Sequence, residues 1–222
     1  APKMAERWVW RCHIDTSTPD PEAWGFVGTR AQGYDATIFS VADFIGPGID
    51  RRRSKIIQPA IDPLVPKNAP MDTEAMAKVV SFHGLDISRP FISQISRFDP
   101  WKDPLGVIDC FRLLKGAHPT LQLAMLGNFA DDDPEGKVLY QEVLAAVEDL
   151  IDVHIITGLT DLVNPFQALS NVVLQKSTRE GFGLTVTEAL WKGTPVVAGN
   201  VGGIRLQVLD GVGGFLVEGS EE

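Results

Sequence analysis

Two short stretches carry most of the chemistry this sequence can do. In Arg97-Phe-Asp-Pro-Trp-Lys102, two cations follow the apolar run 91–96 directly. The planar fork of an arginine grips two phosphate oxygens at once, and a lysine adds a point charge. Pro104 suits the first turn of a following helix. A helix start beside two cations is an anion site, although a solvated loop can carry the same letters. The second stretch is Arg179-Glu-Gly-Phe-Gly-Leu-Thr-Val-Thr-Glu188. Gly181 and Gly183 let the backbone come close to a ligand. The amides near Gly183 and Leu184 would be open helix N-terminal donors for phosphate oxygens. Glu180 stands just before that helix and Glu188 about a turn and a half inside it, so both can face one cleft. Carboxylates suit sugars because they accept hydrogen bonds from neighbouring hydroxyls. Glu188 alone could equally serve the helix dipole.

Other candidates weigh less. Asp131-Asp132-Asp133 contains the Asp-x-Asp spacing of a metal-dependent sugar transferase, but it precedes Pro134 and Glu135, where aspartates cap helix amides. Arg51-Arg52-Arg53 reads as a solvated loop. Among the tryptophans, Trp101 beside Lys102 is the one suited to stacking on a sugar, and the others read as core. His13 alone is an ordinary histidine at a strand end. Cys12 and Cys110 lie far apart and read as two reduced thiols.

The elements that must position these residues are legible from periodicity. Residues 8–14 read as a buried strand, 22–34 as a helix, 35–44 as a second strand and 55–61 as a third. Pro59 makes that third strand an edge or terminal one. Residues 62–70, Asp-Pro-Leu-Val-Pro-Lys-Asn-Ala-Pro, are proline-dense and read as an inter-lobe linker. Strands and helices then alternate: strands at 91–98, 121–126, 153–157, 171–176, 195–198 and 214–217, helices at 104–118, 134–149, 161–170 and 183–192, and a short helix near 204–209. Val107, Phe111 and Leu114 show the helical spacing of a buried face. Such alternation implies βαβ units on a parallel sheet, whose ligands sit beyond the carboxyl ends of the strands. The resulting division is 1–62 as the end of one lobe, 63–85 as the linker region and 86–222 as a second lobe.

The 222 residues carry a formal net charge of −9. That balance argues against a nucleic acid partner and against an anionic membrane surface. No apolar run approaches the roughly 20 residues of a spanning helix. The first strand of the second lobe is not followed by G-x-G-x-x-G, which argues against a dinucleotide oxidoreductase.

Glu-x7-Glu inside Glu-Gly-Phe-Gly-Leu-Thr-Val-Thr-Glu, preceded by Ser-Arg-Phe-Asp-Pro-Trp-Lys-Asp, resembles the family-4 retaining glycosyltransferases of GT-B fold. The segments Trp10-Arg-Cys-His-Ile-Asp-Thr-Ser17, Asp132-Asp-Pro-Glu-Gly136 and Val201-Gly-Gly-Ile204 are similar to the trehalose glycosyltransferring synthases within it. This resemblance implies an α/β fold of GT-B type: one Rossmann-like lobe and the end of a second, cut from a longer chain. It implies transfer of an α-glucosyl unit from a nucleoside diphosphate glucose to glucose, forming trehalose with retention. Another retaining glucosyl- or mannosyltransferase, making sucrose, a glucan or a glycolipid, is the alternative, as is a nucleotide-sugar-binding fragment without turnover. Carried over by position, Arg97 and Lys102 neutralise the donor diphosphate and Glu180 binds the transferred sugar. His13 lies at the reacting carbon. Glu188 holds the ribose, the amides near Gly183 and Leu184 hold phosphate, and Gly181 lets the backbone come close to the donor. No cofactor and no metal are implied. The partners would be the nucleoside diphosphate glucose and a sugar acceptor, with a second copy of the chain as a further candidate, in the cytoplasm.

Overall fold

The computed structural model describes residues 6–128, 134–158 and 160–218. Its first part is a parallel sheet of β1 (Val9–Arg11), β2 (Ala36–Phe39) and β3 (Ser54–Ile56) in that order, with α1 (Pro21–Ala31) connecting β1 to β2. Asp20 caps α1 by accepting from the Ala23 amide at 2.8 Å, and Pro21 follows it where a missing amide costs nothing. Phe39, Phe44, Val41, Ala31 and Cys12 pack together beneath this sheet. The strand expected over 35–44 stops at Phe39. Phe39 is paired with Ile56, the last residue of β3, so the ladder has no partner beyond it. Residues 42–44 turn instead into a single 3-10 turn that buries Phe44. Pro59 lies past the end of β3, outside the ladder.

After the proline-dense stretch comes α2 (Thr73–Phe82), a helix that the sequence reading did not single out. Asp72 caps it on the Ala75 amide at 2.9 Å, and Met76 and Val80, one helical turn apart, are buried. Val80 and Leu85 join Phe91 and Ile95 in the core of the larger sheet.

That sheet consists of β4 (Phe91–Ile95), β5 (Gln122–Gly127), β6 (Val153–Thr157), β7 (Val172–Gln175), β8 (Val196–Gly199) and β9 (Gly214–Val217). All pairs are parallel, in the order β6-β5-β4-β7-β8-β9. Numbered within the lobe this is 3-2-1-4-5-6, the order of a Rossmann sheet, whose direction of winding reverses between its first and fourth strands. Here that switch point lies between β4 and β7. The helices between the strands are α3 (Pro104–Ala117), α4 (Pro134–Ala146), α5 (Val163–Leu169) and α6 (Leu184–Trp191). Every residue of β4 is buried, as expected of a central parallel strand covered on both faces. On one side Val107, Ile108 and Phe111 of α3 meet Leu123 and Met125. On the other, Phe166 of α5 meets Phe91 and Val80. The expected helix over 161–170 is α5 preceded by a 3-10 turn, Thr160–Leu162. The two parallel α/β units make this an α/β architecture of GT-B type. Among the described residues, no helix is long and apolar enough to cross a membrane.

Candidate functional site

The switch point gathers the loops after β4 and β7. After β4, buried Gln94 donates its side-chain amide to the Lys102 carbonyl at 2.7 Å. Asp99 caps the turn Pro100–Lys102 on the Trp101 amide at 2.9 Å. Asp103, in the left-handed region at φ 48°, caps α3 on Gly106 and is ion-paired with Lys176. An aspartate tolerates that conformation better than most residues. After β7, the Thr178 amide donates to the Trp101 carbonyl at 2.9 Å, which stitches one loop to the other. The result is an ion pair between Lys102 and Glu180, with side chains only 16% and 12% exposed. The Ser177 hydroxyl donates to the same Glu180 oxygen at 3.4 Å, and the Gly181 amide donates to the other at 3.1 Å.

Glycines bring the backbone this close. A Cβ at Gly181 would stand 2.7 Å from the His13 carbonyl. The loop that follows β1 is thus in backbone contact with the Glu180 turn. Behind the turn, Gly202 has φ 50° and a Cβ there would meet the Glu180 carbonyl. Gly183 is the N-cap of α6 at φ 85°, where a side chain would be strained. Among the described residues no side chain caps α6, so its first amides are left without a side-chain acceptor. A helix start of this kind favours negative charge beside it.

A cavity of about 200 Å³ opens beside the switch point, over the ends of β4, β5 and β6. Arg97, Asn128, Gly158 and Thr185 line it, and Lys67 and Glu188 close one side. The Glu188 side chain is 5% exposed, and Lys67 Nζ lies 2.5 Å from its Oε1. Among the described residues that oxygen is buried and accepts no hydrogen bond, so its contact with Lys67 is a charge pairing.

The structure therefore brings Lys102, Glu180, Gly181 and the His13 backbone to one point, and Arg97 and Glu188 to the neighbouring cavity. Gly183, the N-cap of α6, and Leu184, its first residue, lie between the two glutamates. Arg97 is 60% exposed and 3.5 Å from Asp99 Oδ2, with its guanidinium accessible. His13 is exposed. Trp101 is half exposed, and the Arg179 guanidinium lies 4.9 Å from its ring centroid, so one flank of the ring is covered. Asp131, Asp132 and Asp133 lie outside the described residues. Arg52 and Arg53 pair with Asp50.

Sequence reasoning missed Lys67, which stood as a lone cation in the proline-dense stretch. It also missed Arg179, read only as the start of the second motif. Arg179 bridges the two units: it pairs with Asp15 Oδ2 at 3.2 Å and donates to the carbonyls of Asp15 and Thr18. A long cation directly before a glycine-rich turn was the available signal.

The family described as "Glycosyl transferases group 1" matches residues 79–222, and "Trehalose synthase, N-terminal domain" matches residues 1–46. A trehalose synthase of Rubrobacter xylanophilus is 45% identical over 216 residues, covering 96% of this chain and 52% of that protein. A trehalose synthase of Pyrococcus horikoshii is 43% identical over 219 residues, covering 97% and 53%. The chain thus spans about half the length of the curated relatives it matches. Among solved structures, Anabaena HepE in complex with UDP and glucose superposes with a TM-score of 0.80 at 22% identity, over 96% of this chain and 58% of that one.

Proposed function

The chain belongs to the glycosyl transferases group 1 family, and we propose that it supplies the donor site of a retaining hexosyltransferase that forms trehalose from a nucleoside diphosphate glucose and glucose. The observation that carries this reading is the Lys102–Glu180 pair at the switch point, beside an uncapped helix start and a cavity edged by Glu188. Negative charge grows on the diphosphate as the glycosidic bond breaks. Lys102 and the first amides of α6 are preorganised groups that meet it, and the exposed Arg97 adds a second cation, an arrangement that lowers such barriers. Glu180, next to the chain of His13, accepts from hydroxyls of the transferred glucose. Glu188 accepts from the ribose. The glucose acceptor would approach from the side of His13, and Arg179 holds that side against the donor lobe.

The similarity to trehalose synthases over nearly the whole chain supports the choice of product, and the shared fold with HepE, a structure solved in complex with UDP and glucose, is in keeping with a nucleoside diphosphate ligand. The test is product analysis with the whole protein, offered ADP-, UDP- and GDP-glucose with free glucose. Trehalose retaining the donor's α-configuration is expected. Product from another acceptor, or donor binding with no product, would replace the reading by one of its rivals. Since protein cations meet the diphosphate charge, activity is also expected to survive excess chelator. Loss on chelation with rescue by manganese would contradict that.

A further inference from the structure

The linker residue Lys67 has no place in the roles given so far, yet it is held with more care than a spacer needs. Asn164 of α5 donates its side-chain amide to the carbonyls of Pro66 and Ala69, both at 2.8 Å. The Trp191 indole of α6 donates to the Asn68 carbonyl at 3.2 Å. Buried Asn68 donates its side-chain amide to the Asp62 carbonyl at 2.9 Å. Lys192 donates to Asn68 Oδ1 at 3.3 Å and to Gln167 Oε1 at 2.9 Å. Residues 66–69 are therefore clamped onto the donor lobe from two helices, and Lys67 stands between the clamps.

What the clamp delivers is a cation over a buried carboxylate. Lys67 is 42% exposed in its side chain while Glu188 is 5% exposed. An uncompensated carboxylate at that depth is strongly disfavoured. The second lysine nearby, Lys192, addresses the Glu188 backbone carbonyl at 3.3 Å and sits where burial pulls its own pKa down. Lys67 is thus the cation in direct contact with the carboxylate, and Lys192 adds attraction from behind it. Both residues line the same cavity, and among the described residues Glu188 Oε1 accepts no hydrogen bond from the protein.

We propose that Lys67 is a positioning residue of the nucleotide site: carried by the inter-lobe linker, it fixes the Glu188 carboxylate to receive the ribose hydroxyls. The inference rests on the ribose reading of Glu188. It adds that seating of the linker and competence of the ribose site are one structural event, because the same four residues do both.

The test compares two ligands on the whole protein: the nucleoside diphosphate that wild type binds best among ADP, UDP and GDP, and its 2′-deoxy form. In wild type, loss of the 2′-hydroxyl should weaken binding about tenfold or more, as for a hydrogen bond to a charged group. In Lys67→Met that discrimination should fall to within about twofold, and Lys67→Arg should restore most of it. Adding Lys67→Met to Glu188→Gln should change affinity no further, the signature of two residues acting as one. Thermal melts identify a variant that fails to fold, and Lys67→Gln then serves as the second neutral variant. Full 2′-hydroxyl discrimination in folded Lys67→Met overturns the proposal and leaves the Glu188 reading standing. Further loss in the double variant also overturns it, since Lys67 would then touch the nucleotide itself. No discrimination in wild type removes the ribose reading of Glu188, and the proposal with it.

Discussion

Glu180 and Glu188 are one helical start apart in sequence and are each neutralised by a lysine from a distant segment, but they face different spaces. Glu180 lies on the turn, paired with Lys102, with two further hydrogen bonds and the His13 backbone as neighbour. Glu188 lies inside α6, paired with Lys67, at the wall of a cavity over β4, β5 and β6. The first is built into the junction of the two units and the second belongs to one lobe alone. A carboxylate at a junction can respond to what both units hold. One inside a lobe can bind only what that lobe binds. On that difference rests the division proposed here, Glu180 for the sugar that reacts and Glu188 for the ribose that does not.

The strongest way to break the comparison is at the junction. Lys102→Ala removes a cation from the place where charge develops and leaves Glu180 without its ion-pair partner. A fall of about 10²–10³ in kcat is expected, the usual scale for loss of a preorganised donor. Arg97→Ala, at an exposed position in the cavity lining, should cost less in kcat and act more on donor KM. Steady-state kinetics of both variants check this, and near wild-type constants in both would remove the phosphate assignment. Gly181→Ala comes next. A methyl group would press on the His13 carbonyl, which is backbone and cannot step aside cheaply, so the two units must shift. Misplacement of this kind costs up to about 10²-fold in rate. Nucleoside diphosphate affinity, which the proposed reading places in the second unit, should stay within about twofold by calorimetry.

Much of this arrangement was legible in the letters. Short apolar runs alternating with amphipathic ones gave the parallel sheet, and the glycines of the second motif marked where backbone had to come close. Lys67 was not legible, because its meaning depends on Asn164, Trp191 and Lys192 clamping a segment that looks like a spacer. Neither was α2, since its capping Asp72 follows a proline-dense stretch that suggests no helix. Trp101 looked free to stack on a sugar, but Arg179, distant in sequence, lies over it. In each case the deciding contact is long-range, and local pattern carries no record of it.

The smallest expected effect lies away from both glutamates and serves as a control on them. Asp152, left-handed at φ 67° before β6, accepts from Arg89 at 2.9 Å and from Lys115 at 2.7 Å. The hydrogen bonds from Arg89 and then from Lys115 hold its carboxyl well below the usual carboxylate range. A pKa lowered on folding adds stability that is fully present above the unfolded value of about 3.9. That stability is lost as pH falls from there through the folded value. Asp152→Asn tolerates the same backbone conformation, and it should lower the melting temperature modestly at neutral pH while flattening its decline below about pH 4. Nucleotide binding should be unchanged. An unaltered acid-side profile would mean that the pairing contributes nothing.

The division between the two glutamates is tested most directly by titrating nucleoside diphosphate into Glu180→Gln and Glu188→Gln, alongside steady-state kinetics. The diphosphate lacks the glucosyl unit and keeps the ribose. Its affinity should drop in Glu188→Gln by about 1.5–3 kcal/mol, the worth of hydrogen bonds to a charged group, and donor KM should rise with it. In Glu180→Gln the affinity should stay near wild type while kcat falls, because a contact that strengthens in the transition state is lost. Equal weakening of the diphosphate in both variants, or weakening only in Glu180→Gln, would contradict the account.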